Sequence, residues 1–132
     1  MNLVVPSGTQ IVGIGSDLVD IDRFRLAYNR RVGLAERLFN EEERAYAFRH
    51  VDPVPRLAAR FAAKEAVMKA LGVGLGAFGL RDVAVARARS GAPSVALSGA
   101  AAALAAEQGV RQWYLTLSHS DLVALAVAVA AA

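Results

Sequence analysis

The feature that most constrains the fold is a run of alanine-rich, apolar sequence over residues 56–71, preceded by Pro55 and followed by Gly72. Proline is tolerated in the first turn of a helix, and glycine commonly follows the last turn. The run is therefore predicted to be a helix. Apart from a few charged residues the run is nearly all alanine and other apolar residues, so both of its faces are predicted to be covered, as in a domain built around one long central helix.

A glycine-containing strand is predicted before this helix, over residues 11–19. Side chains alternate between the two faces of a strand, so Gly13, Gly15 and Asp17 share one face. Val12 and Ile14 lie on the other. A face of glycines that ends in a carboxylate is expected to leave room for a ligand.

The remaining segments complete one small domain. Helices are predicted over residues 22–31, 34–39 and 100–108, with a further helix beginning at the N-cap Asn40. Strands are predicted over residues 82–88, 94–97, 112–117 and 123–129, and the glycine-rich residues 72–79 form a loop. We expect an α/β (α+β) fold in which antiparallel strands pack with the central helix. Residues 1–10 form a loose lead-in, and residues 11–132 form the domain.

Composition excludes several classes of function. The 132-residue chain has no cysteine, which rules out disulfides, thiolate metal sites and cysteine nucleophiles. It starts without a signal-peptide pattern, and its longest apolar run, residues 122–132, is too short for a membrane-spanning helix. We expect a cytoplasmic protein without membrane contacts. A net charge of +3 favours an anionic ligand or partner.

Five residues could carry chemistry, and each has an ordinary structural alternative. Lys64 falls within the apolar stripe of the predicted helix, where a lysine needs a partner. Glu65 and Lys69 stand four apart and could be a solvated ion pair. Asp17 could cap a turn, and His119 could be a histidine of the core or of a hairpin.

Two phosphate-binding patterns fail. Residues 74–79 fit G-x-G-x-x-G but follow a helix, whereas the dinucleotide-binding motif links a strand to a helix. Gly13 and Gly15 follow a strand, but Leu18 stands where the third glycine is required. The chain also lacks G-x-x-x-x-G-K-[ST]. Rossmann and P-loop nucleotide sites are thereby excluded.

Three groups of residues are nevertheless informative together, in their order and spacing. They are residues 13–17 (Gly-Ile-Gly-Ser-Asp), residues 60–65 (Arg-Phe-Ala-Ala-Lys-Glu) with Lys69, Gly72 and Gly74, and residues 117–120 (Leu-Ser-His-Ser). This pattern resembles the signature of the holo-(acyl carrier protein) synthase family, in the 4'-phosphopantetheinyl transferase superfamily. The likeness runs from about residue 11 to residue 129.

The resemblance implies transfer of phosphopantetheine from coenzyme A to a serine of an acyl carrier protein. By that resemblance Asp17 and Glu65 are the acids that hold Mg²⁺, and Lys69 stabilises charge on the phosphates during catalysis. Mg²⁺ typically takes one or two carboxylates together with substrate phosphates. Either Glu65 or a metal-bound hydroxide accepts the serine proton. Five residues are expected to contact coenzyme A: Arg60, Lys64, Gly72, Gly74 and His119.

The resemblance also implies partners. Family members are similar in forming homotrimers with active sites at subunit boundaries, and the apolar residues 122–132 suit a strand buried between subunits or in the core. Arg23 matches a family position that contacts the acidic carrier protein. Arg30, seven residues later on the same helix face, extends that surface by charge. For both arginines an ordinary solvated surface is the alternative.

Two other functions are compatible with parts of the sequence. The positive charge could belong to a non-enzymatic α/β module that binds nucleic acid, but the chain has no basic stretch interleaved with aromatics. We therefore expect no nucleic-acid partner. A trimer that has lost catalysis is the other alternative, and retention of Asp17, Glu65 and Lys69 argues against it.

Overall fold

The structure is a computed structural model that describes residues 4–132; the first three residues of the predicted lead-in lie outside the described part. The strands are β1 (Ile11–Asp20), β2 (Val83–Arg87), β3 (Pro93–Leu97), β4 (Gln112–His119) and β5 (Val123–Ala131). The helices are α1 (Ile21–Arg30), α2 (Leu34–Leu38), α3 (Glu41–Ala47), α4 (Val54–Ala70) and α5 (Gly99–Glu107), with a short 3-10 turn at Leu80–Asp82. The strands pair antiparallel in two sheets, ordered β1-β5-β4 and β2-β3. This mixed α and β architecture confirms the predicted fold class.

Helix α4 is the centre of the domain, as the sequence predicts. Most of its 17 residues are buried, and Pro55 lies in its first turn. Alanine dominates its surface, which lets the β1-β5-β4 sheet approach closely on one side. The alanines of β5 that point toward the helix, including Ala126 and Ala128, are fully buried. The helix is therefore a rigid support for whatever side chains project from its ends and edges.

The glycines of β1 serve this packing. A Cβ atom added to Gly13 would lie 1.9 Å from the Ala70 carbonyl oxygen, and one added to Gly15 would lie 1.9 Å from the Ala66 oxygen. The prediction that they share one face is correct, but the expectation that this face leaves room for a ligand is wrong. The α4 backbone fills the space, because small residues in β1 allow direct contact between strand and helix.

Local caps fix the short helices that follow β1. The Asp20 side chain accepts a hydrogen bond from the Arg23 amide at the start of α1. At α3 the predicted N-cap is confirmed, since Asn40 and Glu43 form a reciprocal capping box. These caps define where α1 and α3 begin, and both helices contribute residues to the cavities described below.

The opposite face of the β1-β5-β4 sheet is open in the isolated chain. Ile14 is 64% exposed, Leu18 62% and Leu125 40%, and β1 pairs with β5 in a register that sets Leu18 opposite Leu125. Large aliphatic side chains grouped on one sheet face are unusual at a free surface.

Among the described residues, no helix is both long enough and apolar enough to cross a membrane.

Candidate active site

A small charged cluster forms where β1 passes along α4. Lys69 Nζ donates to Asp17 Oδ1 at 3.0 Å and to the Ser16 carbonyl oxygen at 2.9 Å. Among the ion pairs of the described residues, Lys69 joins Asp17 rather than Glu65. Asp17 lies inside β1, so its interpretation as a turn cap is wrong. The structure thus brings together Asp17, Glu65 and Lys69, the three residues predicted to carry the chemistry.

Glu65 has an unusual environment within this cluster. Its Oε1 atom is buried and has no hydrogen-bond partner. Burial raises the pKa of Glu65, the nearby Asp17 carboxylate raises that pKa further, and Lys69 opposes both effects. A buried carboxylate oxygen without a donor is costly and uncommon, and a bound ion that supplies the missing interaction is one explanation for it.

The donor set around Asp17 and Glu65 suits a hard cation that also binds phosphates. Two carboxylates face one lysine, which leaves one negative charge uncompensated in the cluster. Among the described residues there is no group of three or more metal-binding side chains. A metal held here would therefore need further oxygen ligands from a substrate, and Mg²⁺ is commonly bound in that way. The residues fit Mg²⁺.

A cavity of about 740 Å³ lies beside these acids. We call it the acid-flanked groove. Its other walls are largely apolar and come from α1, α2, α4 and the loop after α4. The lining residues are Asp17, Leu18, Val19, Asp20, Arg23, Phe24, Ala27, Arg31, Leu34, Leu38, Phe61, Glu65, Leu75, Leu80 and Val123. A largely apolar cavity with carboxylates in its lining can hold an uncharged chain and place one end of that chain beside the acids.

A second cavity, of about 470 Å³, is basic. We call it the arginine pocket, after its residues Arg49, Arg60, Arg87 and Arg89. Its remaining lining residues are Glu42, Glu43, Ala45, Tyr46, Val85, Ala86, Ala88 and Gly91. Arg60 is only 5% exposed, and its Nε atom has no hydrogen-bond partner. A buried guanidinium with an unused donor suits an anionic ligand.

Lys64 lies apart from both cavities. It is 0% exposed, and its Nζ donates to Glu43 Oε1 at 3.0 Å, to the Leu80 carbonyl oxygen at 3.1 Å and to the Val83 carbonyl oxygen. Burial lowers the pKa of Lys64, and the Glu43 carboxylate opposes that effect. The predicted contact between this amine and coenzyme A does not fit its position, because its three donors are already used inside the protein. Lys64 instead joins α4 to α3 and β2.

The other predicted coenzyme A contacts are more dispersed. Gly72, with a φ of 76°, ends α4, and a Cβ on either Gly72 or Gly74 would meet no atom within 4 Å. His119 is exposed at the end of β4, where that strand turns into β5, so the core alternative is wrong and the hairpin alternative is correct. None of the three lines the groove or the pocket.

The two arginines predicted to bind a partner lie on α1. Arg23 lines the acid-flanked groove, and Arg30 is exposed at the end of the helix. Leu26 lies between them on the same face and is 53% exposed. Residues at positions i, i+3 and i+7 form one surface of a helix, here a leucine between two arginines.

Three functional candidates were missed from the sequence: Glu43, Tyr46 and Arg87. Glu43 appears in the sequence only as an acid in a helix start, although its distance from Lys64 is short in the fold. Tyr46 and Arg87 lie on different elements, α3 and β2. The only available signal was the net charge of +3, which favours an anionic ligand but does not indicate which arginines lie close together in the fold.

Comparison with known proteins is consistent with this geometry. Residues 13–130 match the model of the 4'-phosphopantetheinyl transferase superfamily. A holo-[acyl-carrier-protein] synthase of Streptomyces avermitilis is 48% identical over 120 residues, which cover 91% of this chain and 97% of that protein.

Solved structures agree in fold. The crystal structure of holo-[acyl-carrier-protein] synthase from Neisseria meningitidis superposes with a TM-score of 0.81 at 35% identity, covering 92% of this chain and 98% of that one. The Helicobacter pylori synthase, solved in complex with coenzyme A, gives a TM-score of 0.78 at 28% identity, with 89% of this chain and 98% of that chain covered.

Proposed function

The chain belongs to the holo-[acyl-carrier-protein] synthases of the 4'-phosphopantetheinyl transferase superfamily, and from that membership we propose how its residues perform the family's reaction. The enzyme transfers 4'-phosphopantetheine from coenzyme A to a serine of apo acyl carrier protein and releases adenosine 3',5'-bisphosphate. The observation that carries the mechanism is the meeting of Asp17 and Glu65, with an unpartnered Glu65 oxygen, in the lining of a largely apolar groove.

Asp17 and Glu65 would hold Mg²⁺ between them. When bound, the ion would neutralise negative charge on the phosphates while the serine attacks the phosphorus. What supports this proposal is the donor set: two carboxylates from separate elements, only one of which is paired with a lysine. Because β1 and α4 hold the two acids on a closely packed support, the acids would fix the position of a bound cation relative to the substrate.

Glu65 is proposed as the base that takes the proton of the attacking serine hydroxyl. Its Oε1 atom has no hydrogen-bond partner within the protein and is available to accept that proton. Lys69 reaches the same place from the next turn of α4, and its side chain is 53% exposed. Directed at the phosphate that leaves with the adenosine, it stabilises the negative charge that develops there.

Each of the two cavities suits a chemically different part of coenzyme A. The pantetheine arm is long and mostly uncharged, which suits the acid-flanked groove. The nucleotide end carries phosphates, which suit the arginine pocket and the unused Nε of Arg60. Gly72 and Gly74 lie in an uncrowded loop, where backbone amides could approach the cofactor. A direct contact from Lys64 is not part of this proposal.

Helix α1 is proposed as the docking surface for the carrier protein. Its exposed face presents Arg23, Leu26 and Arg30, and Arg23 also lines the groove in which the pantetheine arm would lie. Acidic partners are attracted by such arginines, while the leucine offers an apolar contact between them. The carrier serine would thereby approach the acids from the α1 side.

We propose that the enzyme is a homotrimer. The open sheet face with Ile14, Leu18 and Leu125 provides an apolar surface for another copy. His119 lines neither cavity of its own chain, so we propose that it contacts coenzyme A held by a neighbouring subunit. The place of action is proposed to be the cytoplasm, without nucleic acid or membrane as partner.

The reaction is tested by incubating the chain with an apo acyl carrier protein, coenzyme A and Mg²⁺ and weighing the carrier by mass spectrometry. The carrier should gain the mass of one phosphopantetheine group, and a chelator should prevent the gain. Glu65→Gln should abolish it, whereas Glu107→Gln, at an exposed acid at the end of α5, should leave it intact. A mass gain that persists in Glu65→Gln would contradict the mechanism.

The metal site is tested separately with Mn²⁺, whose binding can be followed by electron paramagnetic resonance. Asp17→Asn and Glu65→Gln should each weaken Mn²⁺ binding in the presence of coenzyme A, and Glu107→Gln should not. Equal binding in all four proteins would place the metal elsewhere.

A further inference from the structure

The arginine pocket is built around one aromatic ring. The guanidinium carbon of Arg60 lies 4.3 Å from the centroid of Tyr46, and that of Arg87 lies 4.5 Å from the same centroid. His50 packs against the ring in an edge-on arrangement at 5.4 Å. A guanidinium over an aromatic face is held by attraction to the ring electrons. One tyrosine thus holds two cations.

These two cations repel each other, and neither forms an ion pair with an acid of the described chain. Among the ion pairs of the described residues, neither Arg60 nor Arg87 takes part in one. Glu43 lines the pocket, but its carboxylate already accepts from Lys64, from the Asn40 amide and from the Val85 amide. Glu42 is the other acid of the lining, and it is exposed. Two adjacent guanidiniums without a bonded carboxylate are arranged for an anion from outside.

The support behind the ring is rigid. Tyr46 comes from α3, Arg60 from α4 and Arg87 from the end of β2. The same three elements are tied together by the buried Lys64–Glu43 pair, whose hydrogen bonds reach the Val83 carbonyl oxygen and the Val85 amide. The relative positions of the three pocket residues are therefore set by interior contacts.

We propose that Tyr46 is a positioning residue for coenzyme A, and that its ring holds Arg60 and Arg87 together so that both guanidiniums bind the same phosphate-bearing end of the cofactor. The proposal rests on the function proposed above. Tyr46 does not take part in the chemistry at Asp17 and Glu65. It acts through the arginines, so its removal should weaken binding of coenzyme A rather than slow the transfer step.

The test compares Tyr46→Leu, which removes the aromatic face, with Tyr46→Phe, which keeps the face and removes the hydroxyl. Binding of coenzyme A to the intact protein is measured by calorimetry, and kcat and KM by carrier modification. Tyr46→Leu should raise the Kd and the KM for coenzyme A about tenfold, equivalent to about 1.4 kcal/mol, and change kcat far less. Tyr46→Phe should stay close to the wild type.

A third variant keeps the proposal testable should Tyr46→Leu be poorly folded. Arg87 is exposed at the end of β2, so Arg87→Gln removes one guanidinium without opening the core. It should also weaken coenzyme A binding. Combined with Tyr46→Leu, it should add little further loss, because the ring and the guanidinium act together. Full additivity, or a loss in Tyr46→Phe as large as in Tyr46→Leu, would overturn the positioning role.

A comparison with 3'-dephospho-coenzyme A identifies which phosphate the pocket binds. If it binds the 3'-phosphate, Tyr46→Leu should weaken coenzyme A and leave binding of the dephospho form unchanged. If it binds the pyrophosphate, both ligands should weaken equally. Wild-type protein that binds no coenzyme A would refute the proposed function, whereas normal coenzyme A binding by Tyr46→Leu would refute only the role of Tyr46.

Discussion

The buried Lys64–Glu43 pair yields a quantitative prediction about stability. Both side chains are essentially inaccessible, at 0% and 1% exposure, and their atoms are 3.0 Å apart. Lys64→Met keeps the length and apolar stem of the side chain but removes its charge. Glu43 then retains its two backbone donors, and the carbonyl oxygens of Leu80 and Val83 lose theirs.

The size of the stability loss follows from the buried Glu43 charge that Lys64→Met leaves without a partner. Removing one partner of a buried ion pair costs about 3–5 kcal/mol, because the remaining charge is buried without compensation. We expect Lys64→Met to lower the free energy of unfolding by about that amount, a large share of the roughly 5–15 kcal/mol of a typical domain. The double variant Lys64→Met/Glu43→Gln should recover part of the loss, since it removes the stranded charge as well.

The assay is urea unfolding followed by circular dichroism, at one fixed protomer concentration because assembly would add to apparent stability. Lys69→Met is the matched control. It breaks the more exposed ion pair to Asp17 on the same helix and should cost no more than about 1 kcal/mol. If Lys64→Met cost as little as Lys69→Met, or if the double variant lost as much as the two single changes added together, the reasoning would be refuted.

Three further predictions concern packing, pH and assembly. Gly15→Ala should destabilise the protein by about 3 kcal/mol in urea unfolding, because its Cβ would collide with the Ala66 oxygen, whereas Gly74→Ala, with open space around it, should be tolerated. The pKa of Glu65 is raised on folding, so the unfolding free energy of metal-free wild type should fall as pH rises from the ordinary carboxyl pKa through the raised one. Glu65→Gln should lack that fall and be the more stable at neutral pH; an identical pH slope in both would contradict it. Ile14→Lys should reduce the assembly to smaller species in light scattering, and an unchanged mass would argue against the open sheet face as the subunit interface.

Local signals were sufficient to predict the main elements. Pro55 and Gly72 mark the two ends of the central helix, and Asn40 with an acid three residues later predicts the start of α3, because these effects act within one turn of chain. The shared face of Gly13 and Gly15 also follows from strand periodicity. The sequence did not show what covers that face, because an open ligand surface and a closely packed helix require the same small residues.

The site residues could be predicted only through the resemblance to the synthase family. Asp17 and Lys69 are 52 residues apart in sequence, and no local pattern indicates that they bond. Lys64 illustrates the opposite case. Its apolar surroundings correctly indicated that it needs a partner, but the resemblance suggested a cofactor contact, and the partner is Glu43 in α3. The stacking of Tyr46 with two arginines depends on three elements converging, which sequence periodicity does not report.

The central claim is that the acids and Lys69 carry out a transfer between coenzyme A and a carrier serine. The most direct measurement quantifies both products in one reaction, holo carrier by mass spectrometry and adenosine 3',5'-bisphosphate by chromatography. The account predicts equal amounts of the two from wild type, and neither from Asp17→Asn or Glu65→Gln. Release of the bisphosphate without modified carrier, or full yields of both products from either variant, would contradict it.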